Sequence, residues 1–74
     1  METVSLREGD EFIKLGQLLK KAGLVGSGAD AKFLIEEGQV KYNGEVELRR
    51  GKKVYPGDVV ELQGEQVKVV AFEG

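Results

Sequence analysis

The feature that most constrains the fold is Asn43-Gly44, set between the alternating segments Val40-Lys41-Tyr42 and Glu45-Val46-Glu47-Leu48. A two-residue hairpin loop needs positive φ at both central positions, and Asn-Gly is the pair that best tolerates it. A tight antiparallel hairpin is therefore expected over residues 40–48. With 74 residues and no cysteine, the hairpin belongs to one small domain that no disulfide can staple. Eleven glycines and a single proline add many turn sites, which favours an α+β or β-rich fold.

Upstream of the hairpin the period changes from two to between three and four. Phe12, Leu15, Leu18, Leu19 and Ala22 make one apolar face, and Asp10 is placed to cap a helix beginning at Glu11. On that reading Lys14, Gln17 and Lys21 share a second face, and Gly23 ends the helix. Lys20 reads as helix-end solubilisation. Ser27 opens a second helix, with Asp30 three residues on in the capping-box position. Ala31, Leu34 and Ile35 face inward, Lys32 projects elsewhere, and Gly38 sits where a left-handed C-terminal residue belongs. Thr3–Leu6, Val59–Leu62 and Gln66–Phe72 read as further strands, with a turn at Pro56-Gly57-Asp58. Phe12, Phe33 and Phe72 are expected in the core. The predicted fold is α+β: a two-helix hairpin packed on one face of a small curved antiparallel sheet, in element order β-α-α-β-β-β-β.

Charge is distributed unevenly. Residues 14–53 carry Lys14, Lys20, Lys21, Lys32, Lys41, Arg49, Arg50, Lys52 and Lys53 against five acids, a local balance of +4. Residues 1–13 and 54–74 each carry −3, so a chain of net charge −2 has a basic middle. Such a segment can draw in a polyanion although the whole chain is acidic. Catalytic chemistry has little to build on. There is no histidine and no cysteine, which removes the usual general base, nucleophile–base pairs and zinc ligands. Ser27 serves better as a cap than as a nucleophile. Glu36 and Glu37 point in different directions on a helix. The glycines at 23, 26 and 28 lack the Lys-Ser/Thr of a phosphate-binding P-loop. No catalytic, metal-binding or cofactor residue is assigned. A binding module is the expected class. The absence of a signal-like or membrane-spanning apolar run leads to an expected cytoplasmic location with no membrane partner.

The ordered set Lys14-Leu15, Leu18-Leu19, Lys21-Ala22-Gly23, Ser27, Ala31-Lys32, Ile35, Gly38, Val40 and Asn43-Gly44 resembles the S-four RNA-binding domain, named after a ribosomal small-subunit protein. Pro56-Gly57-Asp58 matches the later Gly-Asp turn of that pattern. The motif covers about residues 12–62 of what is taken as one domain over 1–74, and the likeness is to small stand-alone bacterial members, the YaaA- and YbcJ-like group. The resemblance implies the alpha-L motif and binding of structured RNA, ribosomal or tRNA-like, or of a ribosomal particle. It implies contacts from Lys14, Lys21 and Lys32 on the helical hairpin; the density of charge beside Gly51 adds Arg49, Arg50, Lys52 and Lys53 as phosphate-binding candidates, with Lys41 on the same edge. Three departures stand out. Gly28 occupies a position where many members have arginine. Gly16 occupies one that is often acidic. Lysines replace the usual arginines at positions 14, 21 and 32, and lysine lacks the bidentate fork. Two other readings of the same charges stay open: an adaptor whose basic groove meets an acidic protein, and a DNA-binding module.

Overall fold

The computed structural model describes residues 1–72. The chain forms β1 (Glu2–Ser5), β2 (Ile13–Lys14), α1 (Leu15–Lys21), α2 (Gly28–Glu36), β3 (Val40–Tyr42), β4 (Glu45–Val46), β5 (Lys53–Val54), β6 (Val59–Leu62) and β7 (Glu65–Val70). Five strands make one sheet in the order β1-β7-β6-β3-β4, and β2 pairs with β5 in a second, two-stranded ladder. The main sheet is antiparallel, as expected, except at one edge. There β1 lies parallel to β7, bringing the start of the chain beside its last strand with Val4 opposite Val69.

Alternation along the strands builds the core. Val60 faces Val67 across β6 and β7, Val40 faces Leu62 across β3 and β6, and all four are buried. The helices add Leu15, Leu18, Leu19, Ala31 and Ile35 to the same cluster. Full burial of each larger aliphatic side chain contributes about 1.5–3 kcal/mol. Phe33 and Phe72, expected inside, are exposed, and Phe12 is half-buried. The inner layer is instead filled by Leu, Ile and Val, whose spacing matches both helices and the sheet.

The hairpin forms where Asn43-Gly44 demands it, with φ of 49° and 89°. A second two-residue turn, Gln63-Gly64, has φ of 52° and 83° and joins β6 to β7. The two turn regions around Asn43 and Asp58 are stitched together. The Asp58 carboxylate accepts from the Tyr42 hydroxyl at 2.6 Å, the Tyr55 backbone N–H at 2.9 Å and Asn43 Nδ2 at 3.2 Å. Asn43 Oδ1 in turn accepts from the Val59 N–H at 2.8 Å. The hydrogen bond to Asp58, then burial, pushes the Tyr42 phenol up to about 12. Burial pushes the Asp58 carboxyl up, but the donated hydrogen bonds from Tyr42, Tyr55 and Asn43 outweigh it and hold the group below its ordinary value. Asn43 and Gly44 are thus structural. Valine at Gly44 would force a β-branched side chain into the left-handed region, which costs about 1–3 kcal/mol. In a domain this small the melting temperature should fall by roughly 10 °C. Thermal melts of Gly44→Val measure this directly, and an unchanged midpoint would contradict the assignment.

The start of the first helix differs from the sequence expectation. Asp10 caps nothing. Its N–H bonds to the Arg7 carbonyl at 3.1 Å in a turn that uses Gly9 at φ +88°, and Ile13–Lys14 run extended to pair with Lys53–Val54. The first helix therefore begins at Leu15, with Lys14 as an N-cap that makes no side-chain cap bond. Partners for the first amides come from a distant loop. Leu15 N–H donates to the Lys52 carbonyl at 2.8 Å, and Gly16 N–H donates to the Arg50 carbonyl at 3.0 Å. The second helix is capped as expected, with Ser27 Oγ accepting from the Asp30 N–H at 3.2 Å. Gly23 and Gly38, both at φ +76°, follow the two helices.

Candidate nucleic-acid interface

Capping of α1 by the 50–52 carbonyls fixes where the basic loop sits. Arg49–Lys52 closes a turn, with the Lys52 N–H on the Arg49 carbonyl at 3.2 Å. That turn lies across the start of α1. Gly16 permits the close approach, because a Cβ there would sit 2.6 Å from Arg50 Cγ and 3.3 Å from Cδ. The aliphatic stem of Arg50 therefore runs over bare helix backbone. An open cleft of about 450 Å³ results, lined by Lys14, Gly16, Gln17, Lys20, Gly28, Arg50 and Gly51. Lys14, Lys20 and Arg50 are exposed, and none of them forms an ion pair among the described residues. The first residue of α2, Gly28, brings the positive end of that nine-residue helix to the same cleft.

The ladder beside the cleft adds a second concentration of charge. Lys14 on β2 stands opposite Lys53 on β5. Like charges placed directly opposite each other destabilise a strand pair. Around them, Lys53 Nζ lies 5.0 Å from the centre of the Phe12 ring, and Lys52 Nζ lies 4.8 Å from that of Tyr42. The Phe12 and Tyr55 rings pack 5.8 Å apart at a tilt of 53°. These aromatic contacts hold the lysine stems in place while leaving their charge uncancelled. A shallower depression lined by Arg49, Gly51, Lys52, Lys53 and Tyr55 continues the basic surface away from the helices.

The eight basic residues anticipated from sequence fall into distinct positions. Lys14 and Arg50 share the cleft, and Lys52 and Lys53 flank it. Arg49 is tied to Glu47, whose carboxylate accepts from Arg49 Nε and from its backbone N–H, both at 3.1 Å. The hydrogen bond from Arg49 is the main cause that lowers the Glu47 carboxyl. Lys14 and Lys21 do not share a helix face, because Lys14 precedes α1 in an extended strand. Lys21 instead donates to the Ser5 carbonyl at 2.8 Å, on the β1 side of the helix. Lys32 is exposed on α2 outside the cleft lining. Lys41 lies on β3, between β4 and β6, opposite Val46 and Glu61 rather than Glu45 and Glu47. Lys20, read from sequence as a solubilising residue, lines the cleft, together with Gln17. The signal for Lys20 was its spacing of four from Gly16, on the same side of the helix.

Comparison with known proteins agrees with the fold. The chain is 48% identical over 71 residues to "Putative RNA-binding protein YbcJ" of Escherichia coli, covering 96% of this chain and 100% of that one. It is 50% identical over 54 residues to "Probable ribosome maturation protein RlbA" of Bacillus subtilis, covering 73% of this chain and 76% of that one. The solution structure of YbcJ superposes with a TM-score of 0.71 at 45% identity over 96% of this chain and 89% of that chain, and is described as revealing an alfaL motif involved in RNA-binding. That likeness accounts for the helical pair and the sheet together. A family model for the S4 domain matches residues 4–70, which take in every helix and strand described above apart from the first two residues of β1, and the chain belongs to the S4 domain family.

Proposed function

We propose that the chain is a non-enzymatic module that binds structured RNA, with ribosomal RNA or a ribosome assembly intermediate as its target. The observation that carries the reading is the convergence of Lys14, Lys20 and Arg50 on one cleft without carboxylate partners among the described residues, beside the opposed pair Lys14–Lys53. A protein gains nothing in stability from such a cluster, whereas RNA phosphates would neutralise it. The cleft is broad, open and without an aromatic platform of its own, which suits the backbone and shape of folded RNA better than a stacked single strand. The names of the relatives support the choice of RNA, and that of the Bacillus subtilis protein supports the link to ribosome maturation. Neither histidine nor cysteine is available for common catalytic roles.

Titration of the chain against a folded ribosomal RNA fragment at several salt concentrations tests this reading. About three to six phosphate contacts should make log affinity fall linearly with log salt, with a slope of about −2 to −5. Duplex DNA should compete poorly. An affinity indifferent to salt, or equal competition by duplex DNA, would reject the reading.

A further inference from the structure

A second cleft, of about 560 Å³, opens on the other side of Lys20, between the turn at residues 7–12 and α1. Sequence alone placed this turn in the acidic flank. In the fold, Arg7 and Asp10 reach the same concavity as Phe12, Ile13, Gln17 and Lys20. Gln17 and Lys20 line both clefts, so the two concavities are neighbours. The wall is divided by chemistry. Phe12 and Ile13 offer a half-buried apolar surface, and the Phe12 ring is braced by Tyr55. Arg7, Lys20 and Lys21 offer exposed cations, Lys21 with its ammonium on the Ser5 carbonyl. The same lining includes one carboxylate, that of Asp10, which is exposed and forms no ion pair among the described residues.

A site built only for phosphate has no use for that carboxylate, which repels the ligand. Its value lies in accepting hydrogen bonds from N–H donors. Among the four RNA bases, guanine alone presents two adjacent donors, N1–H and N2–H, that can meet both oxygens of one carboxylate. Adenine and cytosine offer one amino group there, and uracil one imino group. The Gln17 amide can donate to the guanine O6 or accept from an amino group. A base can enter such a cleft only if it is unstacked, as in a bulge or loop.

We propose that this cleft receives one unpaired nucleotide of the bound RNA, with guanine favoured. Its base would lie against Phe12 and Ile13 with its Watson–Crick edge at Asp10, and its phosphates would meet Arg7 and Lys20. The inference rests on the RNA-binding reading above and adds base selection to it. The charges of Lys14 and Arg50 grip the backbone of the folded RNA. The second cleft then decides which site along that RNA is held.

RNA hairpins that are identical except for one bulged nucleotide test the proposal. The bulge is G, A, C or U, or is absent. Wild type should bind the bulged-G hairpin about tenfold more tightly than the hairpin without a bulge, and more tightly than the other three. Asp10→Ala should erase the preference for guanine while binding the unbulged hairpin as well as wild type does or better, since a negative charge has been removed. Thermal melts of Asp10→Ala check that the turn is kept. If wild type binds all five hairpins alike with a steep salt dependence, the nucleotide cleft is wrong and RNA binding stands. A guanine preference that survives in folded Asp10→Ala overturns the role of Asp10. Failure to bind any of the hairpins, or any folded ribosomal RNA, overturns both readings.

Discussion

Alanine at Lys14, Lys20 and Arg50 together is expected to weaken binding of folded RNA by about a hundredfold or more at moderate salt, with the fold intact. The three side chains converge on one cleft although they come from β2, α1 and the loop before β5. Each is exposed, so truncation removes little buried area, and surface changes of this kind usually stay within about 0.5 kcal/mol. Removing the Lys14 charge also relieves its opposition to Lys53, a small gain. The Arg50 carbonyl that caps Gly16 belongs to the backbone and is kept. If all three side chains contact phosphate, the salt slope should flatten by about two to three, because each lost contact removes the release of nearly one counterion. A second variant, Lys32→Ala with Lys41→Ala, removes two positive charges outside the cleft and serves as the control. It should bind less than about threefold more weakly, through the loss of long-range attraction alone. Equal losses for the two variants would mean that net charge governs binding and that the cleft has no special role.

The sequence made some of this arrangement legible and hid the rest for physical reasons. Asn43-Gly44 announced its hairpin because few residue pairs accept two successive positive φ values. Ser27 announced the start of α2 because its cap is local, three residues from donor to acceptor. The start of α1 was misread because Phe12 continues the apolar spacing of Leu15, Leu18 and Leu19. Nothing local reveals that Ile13–Lys14 will pair with Lys53–Val54, forty residues away along the chain. Two-residue strands have no period to detect, and their existence depends wholly on the partner. Once they pair, extended geometry wins over helix at residues 13 and 14, and Asp10 loses its role as a cap.

The same long-range pairing explains why the candidate site was only half visible. Composition showed a basic middle, the family resemblance pointed to Lys14, Lys21 and Lys32 within it, and charge density pointed to Arg49, Arg50, Lys52 and Lys53. Which cations share a surface was not legible. Lys20 and Lys21 are adjacent in sequence and indistinguishable in type. Both line the second cleft, but the fold turns Lys21 toward the Ser5 carbonyl, and Lys20 alone of the two also lines the cleft shared with Arg50. The 1–13 segment carries −3, and charge counting argued against a part in binding RNA. Only the turn at Gly9 shows that its single arginine and one of its acids line a concavity beside Lys20.

Gly16 provides the sharpest separation between folding and binding. Alanine is a better helix former than glycine by about 0.8–1 kcal/mol, so Gly16→Ala in α1 should favour the helix. The added Cβ would lie an ordinary 3.7 Å from the Arg50 carbonyl, so the capping hydrogen bond from residue 16 can persist. It would also lie 2.6 Å from Arg50 Cγ, a distance no Cβ tolerates, so the Arg50 side chain must leave its place across the helix. Stability should therefore change by less than about 1 kcal/mol, while RNA affinity falls about tenfold, the loss expected when one phosphate contact is disengaged. Glutamate at the same position should do more, because its carboxylate would stand among Lys14, Lys20 and Arg50 and compete with phosphate for them. A loss of about a hundredfold is expected for Gly16→Glu, with a shallower salt slope. A double-mutant cycle distinguishes positioning from any other cause. If Gly16 acts by letting Arg50 lie flat, then Gly16→Ala should cost almost nothing further once Arg50→Ala is present. Losses that simply add, or a Gly16→Ala protein that binds as tightly as wild type, would show that the placement of Arg50 over the helix backbone does not matter for RNA.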